Sequence, residues 1–162
     1  MSETQFLDII DSCLATSSRI LARNITRIYD AALQPIGLNI NQLGILLTIQ
    51  GLSQELSTQT LTEYPKVSLI ALKLGMDVST LSRNLRNLES QRLITLENTP
   101  ESRRVKEVRL TKNGLEKVMN AFPLWQEIHD KLKSELKDSV FQALVGQIYD
   151  ANHVISNLME EM

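Results

Sequence analysis

The stretch from Lys66 to Gly114 reads KVSLIALKLGMDVSTLSRNLRNLESQRLITLENTPESRRVKEVRLTKNG. Its pattern predicts a short helix, a tight turn, a longer helix and then a β-hairpin. Ala71, Gly75 and Leu81 stand where a helix-turn-helix needs a small residue at the helix crossing, a glycine in the turn and an apolar residue facing the core. The sequence therefore predicts a helix-turn-helix followed by a wing.

The second helix of this motif is predicted to begin after Asp77, whose carboxylate can accept hydrogen bonds from the free amides of the first turn. Leu81, Leu85 and Leu88 recur at helical spacing and form an apolar stripe. The opposite face carries short polar side chains and two arginines: Ser79, Thr80, Ser82, Arg83, Arg86, Asn87 and Ser90. Hydroxyls and amides can read base edges in a major groove, and arginine can bind guanine or phosphate. The alternative is an ordinary solvated face, which any amphipathic surface helix has.

The predicted hairpin adds cations beside that helix. Two segments, Leu93–Leu96 and Val105–Leu110, bracket a turn at Pro100–Ser102. Three cations follow the turn within four positions: Arg103, Arg104 and Lys106. Core packing explains such a tip poorly, and the tip is well placed to reach phosphates or a minor groove beside the helix. The helix and this wing together predict binding of double-stranded DNA.

Charge is distributed unevenly along the chain. The formal net charge is −2, but the stretch from Lys66 to Gly114 holds ten Lys or Arg and five Asp or Glu, a net charge of +5. The rest of the chain holds seven basic and fourteen acidic residues, a net charge of −7. Such segregation indicates an anionic partner at one face.

Composition and motifs exclude several functional classes. At 162 residues with 43% hydrophobic and 22% charged residues, the chain is typical of a globular protein. The sequence has no apolar run near the roughly 20 residues that a membrane span needs, no signal peptide, and one cysteine, which fits a reducing compartment. We therefore expect a cytoplasmic protein without a membrane partner.

Catalytic and metal-binding motifs are absent from the sequence. His129 and His153 fall on separate predicted helices, and no HExxH, CxxC, GxSxG or glycine-rich phosphate loop occurs. We therefore expect no enzyme activity, no cofactor and no metal. The main alternative to a DNA-binding regulator is a winged helix that serves only as a protein-interaction module.

Apolar periodicity predicts helices before the motif. Phe6–Ile36 is predicted as one long helix. The next helix, Gln42–Gln50, is expected to be capped by Asn39 or Asn41 and to end at Gly51. The polar stretch after it, Leu52 to Pro65, is expected to be a surface loop, mobile or partly helical.

Two further helices are predicted after the wing. The first spans Leu115–Leu136 with a kink at Pro123, and the second spans Asp138–Met159. The terminal helices carry more apolar positions than a small winged-helix core can cover. We therefore predict a homodimer built from Phe6–Ala32 and Leu115–Leu158, which sets two reading helices about one DNA turn, ~34 Å, apart. Residues 1–36 and 115–162 are then dimerisation regions, and residues 37–114 are the DNA-binding domain.

The chain resembles the MarR family of bacterial winged-helix regulators. The matching segments are LQPIGLNINQLGIL at Leu33–Leu46, LIALKLGMDVSTLSRNLRNLE at Leu69–Glu89, LTKNG at Leu110–Gly114 and AFPLWQEIHDKL at Ala121–Leu132. The resemblance implies an obligate dimer that binds a pseudo-palindromic operator, typically as a repressor that a small molecule or cysteine oxidation releases.

Two positions depart from the family pattern. The wing of the family usually carries Asp-x-Arg, followed by six positions that lead to Leu-Thr. Here that register holds Ser102 and Arg104, while Glu101 and Arg103 give the same pattern one residue early, so either arginine is a candidate for the minor groove. Arg92 stands where the family commonly has glycine. It must adopt left-handed geometry, at about 1 kcal/mol, or end the helix differently.

The resemblance also places a pocket for a small anionic or aromatic effector between the first helix, the dimer helices and the DNA-binding lobe. The candidate lining residues are two arginines and two aromatics: Arg19, Arg23, Tyr29 and Trp125. The simpler interpretation is that the arginines, which recur with Arg27 at every fourth residue, are solvated and pair with acids such as Asp30. The aromatics are then core or interface residues.

Cys13 is a candidate redox residue, because some members of the family sense oxidants through a single cysteine on the first helix. Reactivity requires a lowered pKa and partial exposure. Arg19 is too far along the helix to touch Cys13, and Asp11 is the nearer charge. The favoured interpretation is therefore an inert, buried thiol.

Overall fold

The computed structural model describes residues 3–59, 64–99 and 102–161, and the side chains of residues 7–58, 64–99, 105–159 and 161. Seven α-helices and a two-stranded antiparallel hairpin follow one another in these residues: α1 Glu3–Ser12, α2 Leu14–Leu33, α3 Ile40–Gln59, α4 Val67–Leu74, α5 Val78–Ser90, β1 Ile94–Thr99, β2 Ser102–Leu110, α6 Lys112–Glu135 and α7 Asp138–Glu160. A 3-10 turn, Gln34–Ile36, follows α2. The predicted class, mainly helical with a winged helix-turn-helix, is confirmed. Contacts divide the chain into two compact units, Met1–Leu124 and Trp125–Met162.

The prediction of one long N-terminal helix is wrong. Cys13 has an extended backbone (φ −77°, ψ 114°) and separates α1 from α2. The Ser12 hydroxyl donates to the Asp8 carbonyl at 2.8 Å, a local bond of the kind that competes with helix continuation. Apolar residues recur at helical spacing on both sides of the break, which is why periodicity did not reveal it.

The predicted end of the next helix is also wrong, because α3 continues through Gly51 to Gln59. Ile49 is fully buried and Leu52 is 8% exposed. Their burial outweighs the cost of about 1 kcal/mol for a glycine inside a helix. The first part of the expected 52–65 loop is therefore helical, whereas residues 60–63 lie outside the described residues.

The start of α3 is fixed by two caps. Asn39 and Gln42 exchange hydrogen bonds: the Gln42 amide donates to Asn39 Oδ1 at 2.8 Å, and the Asn39 amide donates to Gln42 Oε1 at 3.0 Å. Of the two predicted caps, Asn39 is the one that forms. Asp30 Oδ1 accepts from the Ile40 amide at 2.7 Å and joins α2 to α3.

The core of the first unit is enclosed by the helices α2, α3, α4 and α5 and by the hairpin. It holds aliphatic side chains from each of these elements, including Leu33, Leu46, Ile49, Ile70, Leu81, Leu85, Leu88, Ile94 and Val108. Gly75 ends α4 with a left-handed backbone (φ 60°) and accommodates the tight turn. The helix-turn-helix geometry predicted at Ala71, Gly75 and Leu81 is therefore present.

The hairpin is longer than predicted, and its register pairs Ile94 with Leu110. A bridge between Lys66 and Glu107, with the Val108 amide donating to the Pro65 carbonyl at 3.0 Å, attaches β2 to the segment before α4. Pairing of this kind holds the wing beside the helix-turn-helix.

Arg92 has φ 58°, so the left-handed alternative is the one adopted where the family has glycine. The Thr111 hydroxyl donates to the Arg92 carbonyl at 2.7 Å and accepts from the Gly114 amide at 3.0 Å. These bonds cap α6 and tie it to the end of α5.

The second unit begins within α6 and contains α7, which agrees with the predicted Asp138–Met159 to within one residue. Trp125 stacks on His129 with ring centroids 4.5 Å apart, and His129 meets the Phe141 ring edge-on at 5.0 Å. Lys133 pairs with Asp138 at 3.0 Å across the turn between the two helices.

The helix α6 passes through Pro123 as one continuous element.

In the part of the chain that the structure describes, no single helix is both long enough and apolar enough to cross a membrane. Two consecutive helical segments, Leu14–Ile36 and Ile40–Thr58, reach the required length and apolar composition only when they are taken together, and a bend of 78° separates them.

Candidate nucleic-acid interface

The start of α5 is organised by Asp77. Its Oδ1 accepts hydrogen bonds from the Ser79 hydroxyl and, at 2.8 Å, from the Thr80 amide, and its Oδ2 accepts from the Thr80 hydroxyl at 2.7 Å. The Ser79 hydroxyl, followed by the Thr80 hydroxyl and amide, holds the pKa of Asp77 well below its usual range. The predicted N-cap is confirmed, and its carboxylate is ionised at neutral pH.

The two faces of α5 differ in burial. Leu81, Leu85 and Leu88 are at most 1% exposed. The predicted reading face is exposed except at half-buried Ser82; its exposed members are Ser79, Thr80, Arg83, Arg86, Asn87 and Ser90. The helix therefore presents hydroxyls, an amide and two guanidinium groups to solvent, while its leucines close the core.

The orientation of Asn87 is set by neighbouring amides. Its Oδ1 accepts from Gln42 Nε2 at 3.0 Å and from Gln91 Nε2 at 2.6 Å. Gln42 lies on α3, so this contact links the reading face to the preceding helix. Sequence reasoning did not find it, since nothing in the local pattern relates residues 45 positions apart.

The wing and α5 share one groove. Ser82 and Arg86 of α5, together with Lys106 of β2, line a depression of about 100 Å³ that Leu96 of β1 also borders. The Leu96 amide donates to Glu89 Oε1 at 3.3 Å and further ties the hairpin to the helix. Two cations from separate elements thus face the same concave surface.

The other two wing cations, Arg103 and Arg104, lie in β2, but their side chains are outside the described residues. Lys106 is exposed and pairs across the hairpin with Asn98. Which arginine enters a minor groove stays a prediction.

No protein-family model and no curated protein matches the sequence. Solved structures do match. The chain is similar to the Mycobacterium tuberculosis transcriptional regulator MosR in complex with DNA, with 26% identity and a TM-score of 0.69 over 86% of this chain and 98% of that one. It is also similar to an Escherichia coli MarR variant with operator DNA (19% identity, TM-score 0.72, 85% and 92% covered). The Staphylococcus aureus MepR–DNA complex matches with 19% identity and a TM-score of 0.71 over 88% and 98% of the two chains.

The protein has the fold of the MarR-family transcriptional regulators. The resemblance drawn from its sequence is thereby confirmed. In this MarR fold, α4 and α5 form the helix-turn-helix and β1 and β2 form the wing.

The four residues predicted to line an effector pocket fall into two groups in the MarR fold. Arg19 and Arg23 of α2 are exposed, and Arg19 Nη1 donates to the Ala15 carbonyl at 3.3 Å. Tyr29 is buried in the first unit, where burial raises its pKa, and Trp125 stacks on His129 in the second. Their role in binding an effector stays a prediction.

Cys13 occupies the break between α1 and α2 and is half-buried. The backbone amide of Thr16, followed by its hydroxyl, lowers the pKa of the Cys13 thiol, and Arg19 contributes least among the causes. A thiol at the start of a helix has the environment that favours a thiolate. Cys13 is therefore only half-buried, not buried as expected, while its reactivity and oxidant sensing both stay predictions.

The sequence identifies Arg109 of β2 only as one of the basic residues, whereas in the structure its side chain holds the wing against neighbouring residues. Its guanidinium carbon lies 3.7 Å from the centre of the Tyr64 ring, and its Nη2 lies 3.3 Å from Glu97 Oε2. The alternation of β2 could have placed Arg109 near Glu97, but the contact with Tyr64 depends on tertiary structure.

Proposed function

We propose that this protein is a sequence-specific transcriptional regulator that binds double-stranded DNA as a homodimer on a pseudo-palindromic operator. The observation that carries the proposal is the groove lined by Ser82, Arg86 and Lys106, in which the reading helix and the wing contribute to one surface. MosR, MarR and MepR, which share the fold, have been solved with DNA.

The exposed face of α5 has the chemistry for both kinds of DNA contact. Phosphate contacts position a protein on the duplex, and base-edge contacts specify the sequence. Lys106 and the predicted cations Arg103 and Arg104 suit the first role, since the wing lies at the edge of the groove. Arg83, with the short polar residues before it, suits the second, because arginine can bind guanine in the major groove.

Apolar surface at both ends of the chain supports the dimer. On α7, large apolar side chains between 41% and 73% exposed are Val140, Val145, Ile148, Tyr149, Val154, Ile155, Leu158 and Met159. Leu7, Ile9 and Ile10 of α1 are about half exposed or more. Large apolar surfaces of this kind mark protein interfaces, and a two-fold axis buries the same surface twice. We accordingly propose residues 1–36 and 115–162 as dimerisation regions and residues 37–114 as the DNA-binding domain.

Repression, relieved by a small effector or an oxidant, is the finer part of the proposal. CouR, a transcriptional repressor solved with a 23-mer DNA duplex, matches with a TM-score of 0.74 and 19% identity over 89% of this chain and 95% of that one. Arg19, Arg23, Tyr29 and Trp125 are the proposed effector residues, and Cys13 is the proposed oxidant target.

Selection of bound duplexes from a randomised pool tests the function. The expected product is a two-fold symmetric site whose half-sites are centred about one helical turn apart. The double variant Arg83→Ala, Lys106→Ala should lose most of the enrichment, while Lys131→Ala, which removes an exposed cation of the second unit, should keep it. A pool that shows no enriched sequence would contradict the proposal and favour a protein-interaction module.

A further inference from the structure

The direction of each hydrogen bond in the first turn of α5 is determined by Asp77. An ionised carboxylate can only accept, and a hydroxyl has one proton to donate. The Ser79 hydroxyl donates to Asp77 Oδ1, and the Thr80 hydroxyl donates to Oδ2 at 2.7 Å. Both hydroxyls therefore use their protons within the protein and turn only lone pairs toward solvent.

This arrangement limits what the Ser79 and Thr80 hydroxyls can bind on a duplex. Phosphate oxygens, guanine N7 and O6, and thymine O4 are acceptors and cannot bond to a second acceptor. The negative charge of Asp77 also repels phosphates. The donors that the major groove offers are the exocyclic amino groups, N4 of cytosine and N6 of adenine.

We propose that Asp77 is a specificity-determining residue that fixes Ser79 and Thr80 as acceptors, so that the first turn of α5 reads a cytosine or adenine amino group. The inference rests on the proposed function and deepens it. Asp77 acts through the two hydroxyls, which makes it a positioning residue.

The later turns of α5 have the opposite character. Asn87 Oδ1 is occupied by two amide donors from Gln42 and Gln91, so its own N–H groups are the ones left for a ligand. Arg83 and Arg86 can only donate. The helix therefore offers acceptors in its first turn and donors in its later turns. Each DNA half-site should accordingly place an amino-bearing base against the first turn, and guanine, thymine or phosphate against the later turns.

The variant Asp77→Asn tests the assignment without removing the cap, because asparagine caps helices about as well as aspartate. With Oδ1 still accepting from the Thr80 amide, the new Nδ2 group donates to the Thr80 hydroxyl. The hydroxyl proton is then released toward the DNA, and Thr80 becomes a donor. The double variant Ser79→Ala, Thr80→Ala is the companion, which removes both reading hydroxyls and leaves Asp77 in place.

The measurement is competition binding with a set of duplexes in which each half-site position carries each of the four bases in turn. Wild-type protein should prefer cytosine or adenine over guanine or thymine by about 3- to 10-fold at one position. Asp77→Asn should weaken or reverse that preference, the Ser79→Ala, Thr80→Ala variant should lose it, and Asp77→Asn should have no further effect on it in that double-variant background.

Two results would go against the assignment, and they are distinguishable. If Asp77→Asn raises affinity for all duplexes and leaves every base preference unchanged, Asp77 acts only through its charge and the inference is overturned. If wild-type protein shows no base preference at any position, the proposed function fails, and the inference fails with it. Circular dichroism of each variant establishes that it is folded.

Discussion

A substitution at Gly114 tests most directly how closely α6 packs against the wing. It lies buried in the first turn of α6. A Cβ atom added there would lie 2.0 Å from the Leu93 carbonyl oxygen and 2.7 Å from Leu110 Cδ2. The same Leu93 oxygen accepts from the Thr111 amide at 3.0 Å, so the carbonyl cannot withdraw without breaking a bond at the start of the helix.

Two effects of opposite sign act in Gly114→Ala. Helix propensity alone would stabilise the protein by about 1 kcal/mol. Overpacking costs about 1–3 kcal/mol, and the upper end applies because the obstructing atoms are backbone. Disturbing the Thr111 hydrogen bond costs about 1 kcal/mol more. We therefore expect a net loss of about 3 kcal/mol in the free energy of unfolding.

Gly51→Ala is the matched control, since Gly51 also lies inside a helix and a Cβ there would meet no atom within 4 Å. This control should stabilise by up to about 1 kcal/mol. Urea unfolding followed by circular dichroism, at one fixed protein concentration, measures both variants. A Gly114→Ala protein at least as stable as wild type would refute the close approach of α6 to Leu93.

Three further outcomes are expected. Arg109→Ala removes the contacts with Tyr64 and Glu97 and should weaken the hairpin by about 1 kcal/mol, which hydrogen exchange would register as roughly fivefold faster exchange of hairpin amides; unchanged exchange would show that Arg109 is no anchor. Because Thr16 lowers the pKa of the Cys13 thiol, the alkylation rate of Cys13 should rise with pH at a midpoint below the value of about 8.5 for free cysteine, whereas a midpoint at or above that value would contradict the assignment. Light scattering after size-exclusion chromatography should give twice the mass of the 18.3 kDa chain, and a monomer at micromolar concentration would exclude the proposed dimer.

The elements that local chemistry determines could be predicted from the sequence. The Asp77 cap, the left-handed Gly75 turn and the leucine stripe of α5 each depend on residues within one or two helical turns of each other. The hairpin followed from two segments that bracket a turn, and the left-handed Arg92 was one of two stated alternatives.

The features that were missed depend on competition between local preference and tertiary burial. Gly51 is a helix breaker by propensity, but the burial of Ile49 and Leu52 carries α3 through it. At Cys13 the opposite happens, since a backbone break interrupts an apolar period that continues on both sides.

Long-range contacts within the candidate site were beyond prediction for a related reason. The bond between Gln42 and Asn87 spans 45 positions, and the stacking of Arg109 on Tyr64 joins the wing to the segment before α4. Both require the fold to be known before the partners can be paired. Neither contact is indicated by a pattern of residues at a fixed spacing in the sequence.

The central claim, that α5 and the wing bind a duplex through one charged surface, is tested most directly by the salt dependence of duplex binding. A plot of the logarithm of the binding constant against the logarithm of salt concentration should be steeply negative for wild type. Its slope should become shallower by about 0.9 for each phosphate contact removed by Arg86→Ala or Lys106→Ala. Binding that is insensitive to salt, or slopes that neither variant changes, would contradict the account.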